Sequence, residues 1–131
     1  MRRGAAAARA SLGRQAEDMA ARLLEARGMR VRERNWRRPE GEIDLVASDS
    51  DGTWVFCEVR SRTGESTGDP LETIGARKRA RVIRAARLYL ALAEPPISAT
   101  GFRFDVVAVT FFADGSPPRM VHVPAAFESS Y

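Results

Sequence analysis

Two short runs of the chain combine acidic side chains with strand-forming apolar residues: residues 41–46, GEIDLV, and residues 56–62, FCEVRSR. Alternate residues of a strand share a face, so Glu58 and Arg60 are predicted to point the same way. If the two strands pair, Asp44 and Glu58 can converge on one divalent cation, with the guanidinium of Arg60 beside them. Mg²⁺ prefers oxygen ligands of this kind. A bound divalent cation can promote hydrolysis of a phosphodiester bond, so the pattern indicates nuclease chemistry.

Each of these residues also has a plainer interpretation. Glu58 and Arg60 fit an ordinary same-face pair on a solvent-exposed sheet, which contributes little. Asp44 fits a cap or an ion pair with Arg103. His122 is the only histidine, and its place late in a strand favours a structural or surface role over metal binding.

Length and composition favour a single domain. The chain has 131 residues, of which 44% are hydrophobic, enough for one core. We expect a flexible basic tail over residues 1–10 and the domain over residues 11–131. Cys57 is the one cysteine, so neither an internal disulfide nor a Cys/His zinc set is expected. No apolar run approaches the roughly 20 residues of a membrane span, and we expect a cytoplasmic protein without a membrane partner.

Charge along the chain is unevenly distributed. The net charge is +4 with a pI of about 10.2, which suits nucleic acid, an acidic membrane surface or an acidic protein partner. Residues 39–59 contain six acids and no base, and the segments 1–38 and 60–92 on either side are basic. The pattern indicates a metal site within a phosphate-binding surface. A chance cluster of solvated acids is the alternative.

The order of predicted elements is α-β-β-β-α-β-β. The predicted segments are a helix 11–27, strands 29–36, 42–48 and 53–61, a helix 76–93, strands 102–112 and 119–123, and a short helical tail 125–128. A further helix start is predicted at residues 69–72. The crossover helix predicts that strands 53–61 and 102–112 are parallel. The expected fold is therefore α/β, with a mixed sheet flanked by helices.

Several motifs together resemble the YraN-like family of small bacterial proteins. They are Gly13-x-x-x-Glu17, Arg34-Asn35-Trp36-Arg37, the two acidic runs, Lys78 and Arg103-Phe104-Asp105. The resemblance covers about residues 11–128. It implies the restriction-endonuclease-like fold of the PD-(D/E)XK superfamily, similar to archaeal Holliday-junction resolvases, and hence a metal-dependent nuclease core.

The resemblance also implies roles for individual residues. Asp44 matches the first acid of the motif and Glu58 the second, while Glu17 matches an acid on the first helix that can join the metal shell. Arg60 stands where the pattern has lysine. Arginine cannot give up its proton as a catalytic base, although it can hold a water molecule or neutralise charge. Lys78, the sole lysine, is a second candidate for that role.

We therefore expect a nuclease dependent on Mg²⁺ or Mn²⁺ that acts on DNA, branched or single-stranded substrates included. The expected catalytic residues are Asp44, Glu58, Arg60 and Glu17, and the first two with Glu17 are the expected metal ligands. The expected nucleic-acid-binding residues are Arg34, Arg37, Arg62, Lys78 and Arg81. A nucleic-acid-binding module without turnover and a protein-interaction scaffold are the alternatives. A homodimer is expected by analogy only, since two cuts need two sites.

Overall fold

Two helices and five strands make up the residues that the computed structural model describes, which are 2–64, 74–93 and 101–128. The elements are α1 (Arg2–Ala26), β1 (Arg30–Arg38), β2 (Gly41–Ser48), β3 (Trp54–Thr63), α2 (Ala76–Leu92), β4 (Phe102–Phe111) and β5 (Arg119–Phe127). Their order, α-β-β-β-α-β-β, confirms the predicted one. The helix start predicted at residues 69–72 lies outside the described residues. No described helix combines the length and the apolar character that crossing a membrane requires.

α1 packs against one face of the sheet through an apolar stripe. Ala16, Ala20 and Leu24 recur at helical spacing and are fully buried. The helix ends at a glycine in the left-handed region, where Gly28 has φ 87° and its N–H donates to the Glu25 carbonyl at 3.0 Å. Chain reversal at this point brings β1 back alongside the helix.

Residues 2–10 belong to α1, whereas the sequence analysis predicted a flexible tail over residues 1–10. Five of the seven residues from 4 to 10 are alanine, and alanine has the highest intrinsic helix propensity. The predicted helix began only at residue 11, and the alanine-rich segment before it extends the helix to Arg2.

The five strands form one sheet in the order β1-β2-β3-β4-β5. β3 and β4 are parallel and joined through α2, as predicted, while the other neighbouring pairs are antiparallel. A tight turn joins β2 to β3, in which the Asp49 N–H donates to the Thr53 carbonyl at 2.8 Å. This turn fixes the register of the two acidic strands.

Strand alternation divides the core into two layers. Leu45, Cys57 and Val107 pack on the α1 side of the sheet. Val46, Phe56 and the α2 face that contains Val82 pack on the other side. The central strands are covered on both faces, so β3 reads as a nearly continuous buried run from Val55 to Glu58.

β5 continues to Phe127, and the predicted helical tail over residues 125–128 is wrong. A bulge lies between Phe104 and Val106 in the register with β4, and Ala125 adopts φ 49°. The N–H of Ala125 then donates to the Asp105 carboxylate at 3.0 Å. A buried acid on the neighbouring strand thus stabilises the irregular stretch, and the segment alone does not reveal it.

Candidate active site

β2 and β3 separate at the position of the two acids. Their paired register runs from Ser48 with Trp54 to Leu45 with Cys57. Beyond that point β2 remains paired with β1, and β3 remains paired with β4. The next residues along the two strands are Asp44 and Glu58, which therefore lie at the fork where the sheet opens.

Asp44 fills part of this opening. Its Oδ2 atom accepts a hydrogen bond from the Val59 N–H at 2.8 Å, so a side-chain oxygen replaces the backbone acceptor that a paired β2 would supply. Burial raises the pKa of Asp44, and the Val59 N–H and the charge of Lys78 oppose that rise. The negative charge of Glu17 raises the pKa further.

Glu58 is the more unusual of the two acids. It is 1% exposed, and its Oε2 atom lies 3.3 Å from the Nζ atom of Lys78. Its Oε1 atom is buried and has no hydrogen-bond partner among the described residues. Burial, and then the negative charge of Asp44, raise the pKa of Glu58 to about 8, although Lys78 opposes the rise. The two acids thus share an environment that is short of positive charge.

A buried acid elsewhere in the protein shows how hydrogen bonds can offset the cost of burying a carboxylate. Asp105 is also fully buried, but its oxygens accept hydrogen bonds from Arg103, His122 and the Ala125 N–H at 2.8–3.3 Å. Arg27 lies 2.6 Å from the Nδ1 atom of His122, so the ring accepts there and donates from Nε2 to Asp105. Glu58 has no comparable set of donors.

The cation beside Glu58 is Lys78, the second candidate from the sequence. Arg60 is partly buried and makes no hydrogen bond or ion pair within the described part of the chain. Gly41 allows α2 to approach this closely, because a Cβ atom there would lie 2.6 Å from the Arg81 carbonyl oxygen. This role of Gly41 is not evident from the sequence, because it depends on a helix 40 residues away along the chain.

Glu17 and Asp44 line the same cavity, of about 350 Å³, on the α1 side of the fork. Glu17 accepts a long hydrogen bond, 3.4 Å, from the side chain of Asn35, a residue with φ 53° that the sequence analysis gave no role. Glu58 does not line this cavity and instead faces Lys78. Among residues 2–64, 74–93 and 101–128, no three Asp, Glu, His or Cys side chains form a metal-ligand group. Glu17 as a metal ligand stays a prediction.

The predicted nucleic-acid-binding residues do not form one patch, and only Arg37 and Lys78 lie at the two acids of the fork. Arg34 pairs with Asp18 at 2.6 Å and Arg37 with Glu42 at 3.4 Å. Arg37 also lines the cavity of Asp44 and Glu17. The remaining ones lie elsewhere: Arg62 lines a small cavity against α1, and Arg81 is exposed on α2.

The architecture defines the class of the protein. A five-stranded mixed sheet between helices, in the order α-β-β-β-α-β-β, is the restriction-endonuclease-like fold expected from the sequence. The acids lie where its second and third strands diverge.

The chain belongs to the family described as uncharacterised protein family UPF0102, which matches residues 16–109; the YraN-like resemblance is thereby confirmed. A UPF0102 protein of Anaeromyxobacter dehalogenans is 48% identical over 120 residues, covering 92% of this chain and 86% of the relative. One of Myxococcus xanthus is 40% identical over 129 residues, covering 98% of both. One of Frankia casuarinae is 44% identical over 120 residues, covering 92% of this chain and 98% of the relative.

Proposed function

We propose that this protein is a divalent-metal-dependent nuclease that hydrolyses phosphodiester bonds in DNA. The observation that supports it most is the buried Oε1 atom of Glu58, which has no hydrogen-bond partner among the described residues, close to a second acid, Asp44. A buried carboxylate oxygen without a hydrogen-bond partner is costly. A protein retains such a group where a cation or a substrate supplies the missing partner.

Carboxylate and peptide oxygens, the donor types present at the fork, are those that a magnesium or manganese ion prefers. Asp44 and Glu58 each have one oxygen outside the contacts described above, and the peptide oxygen of Val59 is a third donor of the type that these ions prefer. Such an ion, when bound, polarises a phosphate and lowers the pKa of a water molecule. Glu17 is close enough to influence Asp44 and would support the site through bridging water.

The chain's own groups hold the acids in place. The Val59 N–H fixes one oxygen of Asp44, and the ammonium of Lys78 fixes one oxygen of Glu58. The positive charge of Lys78 would help to neutralise the negative charge that develops on a scissile phosphate, and an amine can also exchange a proton. Arg60, on the same strand as Glu58, contributes positive charge without proton transfer.

The test incubates the full chain with plasmid, single-stranded and four-way-junction DNA, with and without Mg²⁺ or Mn²⁺. Cleavage should require the metal, and Asp44→Asn and Glu58→Gln should each reduce it at least about 100-fold. The matched control is Glu40→Gln, which removes an exposed acid from the turn before β2 and should cleave normally. Cleavage that survives in Asp44→Asn would contradict the proposed site.

A second set of variants assigns the cation. Lys78→Ala should lower cleavage roughly 100-fold or more, whereas Arg60→Ala should lower it less. Unchanged cleavage in Lys78→Ala would remove lysine from the mechanism and return the role to Arg60.

Two observations favour a second candidate, a nucleic-acid-binding module without turnover. Lys78 already occupies one oxygen of Glu58, and Arg60 stands where the resemblance has lysine. Salt-dependent DNA binding with no cleavage in either metal would support this candidate over the nuclease.

A further inference from the structure

Three arginines line a cavity of about 550 Å³ between α2 and the end of β5. Arg79, Arg84 and Arg87 come from one side of α2, and Phe127 and Glu128 lie across from them. Three guanidinium groups and one carboxylate give this lining a positive formal charge, and Arg87 also makes a further contact of its own. A positively charged lining favours an anionic ligand, and none of these arginines lines the site at the fork.

The arginines are arranged along the helix rather than around one point. Arg79 and Arg87 are separated by eight residues, or about 12 Å of helix. Arg79 is held in place, because its Nε atom donates to the Ile74 carbonyl at 3.0 Å and its guanidinium lies 5.7 Å from the centre of the Phe127 ring. Arg84 and Arg87 are exposed. A row of this length matches several successive phosphates of a nucleic-acid strand better than one small anion, since strand phosphates recur every few ångströms.

A second cavity, of about 270 Å³, shares Phe127 and Glu128 with the first and is lined by Phe102. The ring of Phe102 is 40% exposed. It packs edge-on against Phe104 at 5.8 Å, and Phe104 stacks on Phe127 at 4.9 Å. Phe102 is thus an exposed aromatic ring on a rigid aromatic support, beside a row of cations.

We propose that this groove, formed by Arg79, Arg84, Arg87, Phe127 and Phe102, binds a single strand of nucleic acid. The arginines contact its phosphates, and Phe102 stacks on an unpaired base, the combination that single-strand-binding surfaces use. Paired bases of a duplex do not offer a face to such a ring, so the exposed phenylalanine favours a single strand over a duplex. Glu128, between the two cavities, weakens binding.

The inference rests on the proposed function, which identifies the ligand as nucleic acid. It adds the position of a nucleic-acid strand on the protein surface. Lys78 and Arg79 are consecutive residues in the first turn of α2. Lys78 contacts Glu58 and Arg79 contacts Phe127. The groove therefore begins in the same helical turn that completes the candidate active site.

The experiment measures binding of a fluorescein-labelled oligothymidine to the full chain by anisotropy, in EDTA and over a range of salt concentrations. Replacing both Arg84 and Arg87 with glutamine should weaken binding and reduce the slope of log K against log salt by about 1.4, roughly 0.7 for each phosphate contact. The matched control replaces two exposed arginines that line neither cavity, Arg22 on α1 and Arg30 on β1, and should leave the slope unchanged.

The aromatic arm of the test uses Phe102→Leu, which keeps apolar packing but removes the stacking surface, together with Phe102→Ala. Both should weaken binding roughly 5- to 150-fold without changing the salt slope. Glu128→Gln should tighten it. Wild-type affinity and salt slope in the Arg84/Arg87 variant would refute the groove as the binding site. Equal binding of a matched duplex would refute the preference for a single strand.

Cleavage assays separate this inference from the proposed function. Weakened strand binding in the groove variants, with no cleavage by the wild-type chain, supports the groove and refutes the nuclease. Metal-dependent cleavage together with unaffected binding in the groove variants supports the nuclease and refutes the groove.

Discussion

Replacing Glu58 with glutamine should stabilise the metal-free protein and reduce the proposed cleavage at least about 100-fold. Glutamine has nearly the shape of a protonated glutamate and carries no charge at any pH. The wild-type side chain is 1% exposed, and its pKa is raised from 4.5 to about 8, first by burial and then by the charge of Asp44. Folding therefore favours the protonated form of Glu58.

The sign and size of the effect follow from linkage. A group whose pKa is higher in the folded state contributes its full stability below the unfolded pKa, here 4.5, and loses it as the pH rises toward about 8. Each pH unit in this window lowers the free energy of unfolding by about 1.4 kcal/mol. At pH 7 the wild type should be less stable than Glu58→Gln by roughly 3 kcal/mol, or roughly 10 °C in Tm for a chain of this size.

Urea denaturation in EDTA at several pH values between 4.5 and 8 measures this difference. The two proteins should be about equally stable near pH 4.5 and should diverge as the pH rises. Glu40→Gln, an exposed acid, serves as the control and should follow the wild type throughout. Adding Mg²⁺ or Mn²⁺ should stabilise the wild type but not Glu58→Gln, since only the former retains the ligand. A Glu58→Gln protein that is less stable than the wild type at pH 7 would refute the reasoning.

Three further predictions concern the framework around the site. Gly41→Ala should destabilise the protein by about 1–3 kcal/mol in urea denaturation, because its Cβ atom would lie 2.6 Å from a backbone oxygen of α2; Gly13→Ala, with open space around it, should be neutral or stabilising. The thiol of Cys57 is fully buried and its pKa is raised by burial, so it should react with a thiol reagent only at the rate of unfolding; fast labelling of native protein would contradict this. His122→Ala removes a donor to the buried Asp105 and should lower the free energy of unfolding by about 1–3 kcal/mol, and an unchanged value would show that water replaces the imidazole.

The periodicity of the sequence predicted most of the fold. The strand-forming apolar residues of β2 and β3, the polar turn between them and the crossover through α2 are local signals, and the structure confirms the elements that they predicted. They were enough to put Asp44 and Glu58 on neighbouring strands. The two failures, at residues 2–10 and 125–128, have different causes: alanine propensity formed a helix without an apolar stripe, and hydrogen bonding to Asp105 extended β5 through a bulge.

The candidate site was less predictable, because its details depend on contacts distant in sequence. The partner of Glu58 is 20 residues away on α2, and its approach depends on Gly41. Spacing favoured Arg60, which lies two residues from Glu58, but sharing a strand face did not create an ion pair. Asn35 also had no predicted role at the site. An asparagine within a strand is uncommon, and this was the signal in the sequence that could have drawn attention to it.

The contact between Lys78 and Glu58 has a practical consequence, since this lysine is the only one in a chain with 21 basic residues. Reductive methylation with ¹³C-formaldehyde would label its amine, together with the terminal α-amino group, and leave the arginines untouched. The methyl resonance of that amine would report on the carboxylate 3.3 Å away. One spectroscopic signal would then follow proton binding at the fork and test the proposed binding of an ion and a strand, without any substitution in the sequence.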